Sequence, residues 1–221
     1  MSSYTEGQVH QLMEAFEKTG FIPNDITLLG QFPDLLKIRG VVRGERTISG
    51  PLCKWREQDS VIYLSVISDG VTGLEWVRRL RKKGFRLSDY VESILLSLDF
   101  KPTKCVTYEI AILKGILFEE NDRTTKNIRA EADKRKLEKP NAEVACLIRE
   151  NFSDKEIEAM GLKWVITMHE PIKDSDGNPN LLNTHRYVDG LWLNAYYDSP
   201  SSRWDRDSGF AFAVPQVSSQ S

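Results

Sequence analysis

Apolar and polar positions follow a helical period at the start of the chain and a shorter, strand-like period in the next stretch. The helical period then returns through the middle, and the strand-like one runs to the end. Val9, Leu12, Met13 and Phe16 recur at helical spacing. Ser3 and Glu6 have the spacing of a capping box, and Gly20 supplies a stop. Between residues 34 and 68, "LLKIRGVVRGERTISG" and "SVIYLSVISDG" are rich in Val, Ile and Tyr and broken by Gly and Ser. That texture predicts two to four strands.

Residues 72 to 160 read mainly as helices. Thr72 with Glu75 and Ser153 with Glu156 are capping-box pairs, and Gly84 and Gly161 are the matching stops. Further helices are expected near 89–98, 107–118, 124–137 and 142–151, with Pro140 separating the last two. After Gly161 come "KWVITMH", "LLNTHRYV", "LWLNAYYD" and "GFAFAVPQ", divided by the turn signals "SDGNP", "DG" and "SPSSRWDRDSG". Runs of strands and runs of helices favour an α+β fold over a doubly wound one. The expectation is a strand-rich N-terminal segment after one helix, a central helical region and a C-terminal antiparallel sheet. One domain over residues 1–216 is expected, with a division near 161 as the alternative and 217–221 as a disordered tail.

Composition narrows the class without naming an activity. The 221 residues suffice for a self-supporting core, and 40% hydrophobic with 28% charged residues is ordinary for a globular protein. A formal charge of -2 supplies no global attraction to nucleic acid or anionic membrane. Cys53, Cys105 and Cys146 are too scattered for a disulfide framework or a metal knuckle, which points to a reducing, cytoplasmic setting. The start is polar and acidic, unlike a secretory signal, and no window approaches the length of a membrane span.

The stretch "TMHEPIKDSDGNPNLLNTHRY", residues 167–187, holds two of the three histidines. A hairpin centred near Gly177 would set His169 opposite His185, where two imidazoles can share a zinc ion about 2.0 to 2.1 Å from each nitrogen. Glu170, Asp174 or Asp176 would complete the set, and the bound water would then serve a metal-dependent hydrolase. Pro171 and Pro179 shorten any regular ladder, however, and Asp, Asn and Gly are also the residues of a tight turn. A hairpin with a polar turn is therefore the leading reading. The run does not fit a calcium-binding EF-hand loop, because Pro179 and His185 stand where Gly and Glu belong.

Three other features carry candidate chemistry. Cys146 with His169 as base would make a Cys/His hydrolase, but Cys146 lies among Val144, Ala145, Leu147 and Ile148, inside a helix. The loop "SDGVTG" could hold an anion at a helix start, yet it lacks the Walker and dinucleotide fingerprints. "RRLRKKGFR" packs six basic residues into nine, and residues 72–140 carry 16 Lys/Arg against 11 Asp/Glu. Arg78, Arg79, Arg81, Lys82 and Lys83 on one helix, and Arg123, Lys126 and Arg129 on another, would track phosphates if the helices lay side by side. The competing account is a solvated helix face whose last-turn cations meet the helix dipole.

The C-terminal strands are rich in aromatics: Trp164, Tyr187, Trp192, Tyr196, Tyr197, Trp204, Phe210 and Phe212. Those not needed in the core could stack bases or sugars or meet a partner protein, and Trp204 is the one most expected outside it. The leading functional expectation is a non-catalytic binding protein with nucleic acid or protein as partner and no membrane. No cofactor is required, and zinc is the one candidate.

Overall fold

The chain divides into two compact units, Met1–Leu52 and Cys53–Ser221. The computed structural model describes residues 5–18, 54–187 and 190–215, with isolated positions between 23 and 43. Most of the strand-like texture expected before residue 54, and the tail 217–221, lie outside the described residues.

In the first unit, helix α1 (Glu6–Lys18) follows the predicted periodicity. Thr5 and Gln8 exchange reciprocal bonds at its start, and Ser3, expected to cap with Glu6, lies outside the described residues. Val9, Leu12 and Met13 are exposed on it.

The second unit is built on one mixed nine-stranded sheet, in the order β1-β2-β4-β9-β5-β7-β8-β3, with β6 paired to β7. In chain order its elements begin with β1 (Trp55–Gln58), β2 (Val61–Asp69), α2 (Gly73–Lys82), β3 (Arg86–Leu87) and α3 (Asp89–Leu95). They continue with β4 (Lys104–Lys114), α4 (Thr125–Lys134), α5 (Glu143–Asn151) and α6 (Asp154–Ala159). The last five are β5 (Trp164–Thr167), β6 (Ile172–Lys173), β7 (Pro179–Tyr187), β8 (Gly190–Tyr197) and β9 (Ser208–Ala213). Most neighbours are antiparallel, but β5 runs parallel to β9 and β3 parallel to β8.

The mixed α+β class is as expected, whereas the segment order is not. Residues 107–118 do not form a helix, because most of them belong to the 11-residue strand β4. In "TYEIAILKGILF" Ile110 and Ile112 face one side of the sheet while Ala111 and Leu113 face the other, and both sides are buried. A strand buried on both faces gives a continuous apolar run that periodicity cannot separate from a buried helix. The C-terminal strands are likewise no separate antiparallel sheet. β9 joins β4 on one side and β5 on the other, so pairing crosses the division considered near residue 161.

Alternation along the strands assigns two cores. On the first face Ile62, Leu64, Val66, Ile110, Ile112, Val165, Leu182 and Leu193 pack against α2, α3, α5 and α6. On the second face Val61, Ala111, Leu113, Ile166, Leu181, Phe210 and Phe212 pack against Ile128 and Ala132 of α4 and against Trp204. Trp204, expected outside a core, is only 9% exposed, and its Nε1 donates to Thr125 Oγ1 at 2.9 Å. The predicted caps of α2 and α6 form as full capping boxes, Thr72 with Glu75 and Ser153 with Glu156. No helix among the described residues is long and apolar enough to cross a membrane.

Candidate functional site

The histidine arc folds as a short ladder and a turn, with the acidic groups around that turn committed locally. β6 pairs β7 through Ile172↔Asn180 and Lys173↔Pro179. Asp174 Oδ1 accepts from the backbone of Asp176 and Asn178, and its Oδ2 accepts from Asn180 Nδ2. Asp176 accepts from the Tyr90 hydroxyl, and Glu170 pairs with Lys139 at 2.5 Å.

The two histidines do not face each other, because the register places His185 opposite Trp164. His169 is 1% exposed, and its Nε2 accepts from the backbone N–H of Leu182 at 2.9 Å. That bond puts the ring proton on Nδ1, which donates to the Glu170 carbonyl at 2.7 Å. Burial lowers its pKa to about 4. Both nitrogens are occupied by the backbone, so His169 can neither ligate a metal nor act as a base without breaking the turn. No group of three or more His, Cys, Asp or Glu among the described residues could hold a metal ion. The expected set of His169, Glu170, Asp174, Asp176 and His185 is not gathered into such a group.

Cys146 is fully buried, and burial, reinforced by Glu143 and Glu150, pushes its thiol well above the usual range. A thiolate nucleophile needs the opposite shift. In the loop 68–73 the Thr72 hydroxyl caps α2 and Ser68 Oγ accepts from Val106 N–H. The same region closes a buried polar network. Glu143 accepts from Trp76 Nε1 at 3.2 Å and from Thr103 N and Oγ1 at 2.8 and 3.1 Å, and Thr103 in turn meets the Tyr108 hydroxyl. The Thr72 and Ser68 hydroxyls and the Glu143 carboxylate are thus engaged within the fold.

The basic helices are separated by the sheet. Trp76, Val77 and Leu80 of α2 belong to the first core, and Ile128 and Ala132 of α4 to the second. The two helices therefore lie on opposite faces and make no common phosphate-tracking surface. Much of their charge is also paired: Arg79 with Asp69 and Glu150, Lys83 with Glu150, Arg81 with Glu92, and Arg129 with Asp198. Arg123 is buried, and its guanidinium donates to the carbonyls of Gly115, Phe118 and Trp204. Arg78, Lys82 and Lys126 are exposed and form no ion pair among the described residues.

What the fold does assemble is a strip on the second face, along β8. Trp192, Asn194 and Tyr196 alternate along that strand and so point to the same side, successive members about 6.7 Å apart. Trp192 and Asn194 are half-buried and Tyr196 is 42% exposed. Register continues the strip inward. Trp192 faces His185, and His185 faces Trp164, whose ring stacks on the imidazole with centroids 3.2 Å apart and planes within 6°. At the outer edge the Arg86 guanidinium lies over the Trp192 ring, 5.6 Å from its centroid. At the other end the Tyr196 ring packs 4.8 Å from that of Trp204. The loop carrying Trp204 also carries the exposed Arg203, and its Pro200 carbonyl accepts from the backbone of the exposed Lys126.

Trp192 and Tyr196 stood among the aromatics of the C-terminal strands, but nothing in the sequence set them apart from those of the core. Asn194 had no signal beyond being a polar residue at an inward position of an alternating strand.

The fold and site thus define an α+β domain with a two-faced mixed sheet and an aromatic strip on its outermost long strand. No known family model, curated protein or solved structure matches the chain.

Proposed function

We propose that this protein is a non-catalytic binding protein and that its ligand is single-stranded nucleic acid laid along β8. The observation that carries this reading is the Trp192–Asn194–Tyr196 strip, with Arg86 at one end and Lys126 and Arg203 near the other. Rings on one strand face offer stacking platforms that any base can use, and flanking cations meet the backbone phosphates. The half-buried Asn194 between the rings offers hydrogen bonding to a base edge. Nucleic acid was already the most concrete partner expected from the sequence. The surface is relocated from the helices to the sheet.

The test is fluorescence anisotropy with a labelled single-stranded RNA or DNA of mixed sequence. Tyr196→Ala and Trp192→Ala are each expected to weaken binding about tenfold, the cost of one lost base stack. About three phosphate contacts give a log–log salt slope near -2. Changing Arg78, Arg79, Lys82 and Lys83 together to Glu should leave that slope nearly intact. No binding by the wild type at low salt, or a loss confined to the helix variant, would end the proposal.

A further inference from the structure

Leu74, Leu96 and Leu98 are 47%, 55% and 95% exposed, the last almost wholly in solvent. The packing of α2 on α3 brings them together. At Gly73, next to Leu74, α2 runs against the Leu95 carbonyl and the Phe100 ring. Leu98 sits at the tip of a turn that the Phe100 N–H closes on the Ser97 carbonyl. Leucines exposed singly need no explanation, but adjacent ones make a patch that marks an interaction site. Charge beside this patch is one-sided. Arg78 and Lys82 follow Leu74 at one-turn intervals on α2, so the three share its outer face. Both cations are exposed and form no ion pair among the described residues. Of the nearby carboxylates, Glu75 is taken up by its capping box and Glu92 by Arg81.

Helix α1 is the complement of that surface. Val9, Leu12 and Met13 line one side of it and are exposed, and none of its residues is buried. Glu6 and Glu17 edge the apolar stripe and form no ion pair among the described residues, whereas Glu14, further back, faces His10 and Lys18. A helix of 13 residues is marginal by itself in water and draws its stability from packing an amphipathic face.

We propose that the leucine patch is occupied by α1 of a second copy of this chain, and that two copies exchange α1 reciprocally. Val9, Leu12 and Met13 of one copy cover Leu74, Leu96 and Leu98 of the other. Glu17 then lies beside Arg78 and Lys82, so an acidic flank meets a basic one. Reciprocal exchange closes the assembly at two copies and makes the same contact twice. The inference is independent of the β8 strip, which lies on other elements.

The experiment is light scattering on the full chain after gel filtration, over a wide range of concentration. Wild type should be a dimer that dissociates on dilution. Leu12→Asp and Leu98→Asp are both exposed positions, so each variant should fold, and each should weaken the dimer about thirtyfold or more. The two variants are then mixed in equal amounts. The mixture should regain dimer that neither variant forms alone, because the intact α1 of the Leu98→Asp copy can dock on the intact patch of the Leu12→Asp copy. A wild type that stays monomeric at every concentration overturns the inference. So does a dimer that survives either substitution. A mixture no better associated than its components overturns it as well, because contacts joining α1 to α1 and patch to patch would behave that way.

Discussion

The backbone N–H of Leu182 donates to Nε2 of His169 across 2.9 Å, and Nδ1 of the same ring donates to the Glu170 carbonyl at 2.7 Å. One imidazole thereby ties the start of the turn to the strand returning from it, and it can do so only when neutral.

Stability should consequently fall on mild acidification. The folded-state pKa of His169 is about 4 against an ordinary value near 6.5. Between those values the unfolded chain takes up a proton that the folded chain refuses. The effect is absent above about pH 6.5, grows as pH falls and levels off near pH 4, at about 3 kcal/mol. Urea midpoints at pH 7, 5.5 and 4.5 should drop in wild type and stay nearly level over that interval in His169→Gln. Glu156, held down to about 2 chiefly by Lys54 and the Ser153 cap, adds its own loss at lower pH, below its ordinary 4.5. A wild-type midpoint that does not move between pH 7 and 4.5 would contradict the account.

The β1–β2 hairpin turns through Asp59 and Ser60, both at positive φ, 51° and 59°. Two successive left-handed residues make the turn that Asn-Gly prefers. Asp59→Asn with Ser60→Gly should therefore stabilise the protein by about 1 kcal/mol and raise Tm by about 2 to 4 °C. An unchanged or lower Tm in a calorimetric scan would refute this.

Gly73 opens α2 where it crosses the end of α3, and a Cβ added there would lie 1.7 Å from the Leu95 carbonyl oxygen. Backbone blocks that atom, so no side-chain rotation relieves the clash. Gly73→Ala should cost about 3 kcal/mol, read as a fall in Tm of about 6 to 12 °C. A loss below about 1 kcal/mol would mean that the two helices can part without consequence.

Thiol chemistry separates the cysteines. Cys105 is exposed and Cys146 buried. With Cys53 and Cys105 changed to Ser, the remaining thiol should resist a maleimide in native buffer and react fully in denaturant. Rapid native labelling would reopen Cys146 as a reactive group.

The parts of this fold legible in the sequence were those set by neighbours along the chain. Thr72 with Glu75 and Ser153 with Glu156 announced their helices because a capping box is a local device. The parts that were not legible depend on which distant segment lies alongside. Ile110 and Ile112 gave no strand signal because both faces of β4 are covered. His185 was paired with His169 on the assumption of a regular hairpin, whereas the turn at Asp174–Asn178 and the start of β5 brought Trp164 opposite it. The basic runs on α2 and α4 read as one surface because nothing in either run says which side of a sheet it will cover.

β9 is the last of the nine strands in chain order, yet it lies between β4 and β5 near the middle of the sheet. Until residues 208–213 are available, the strands already made form two separate ladders, β1-β2-β4 and β5-β7-β8-β3, each with an open inner edge. During synthesis neither half can close on the other, so the domain has to be completed in a single late step. A ribosome paused just short of β9 would hold two sticky half-sheets, and that interval is when the chain would most need a chaperone.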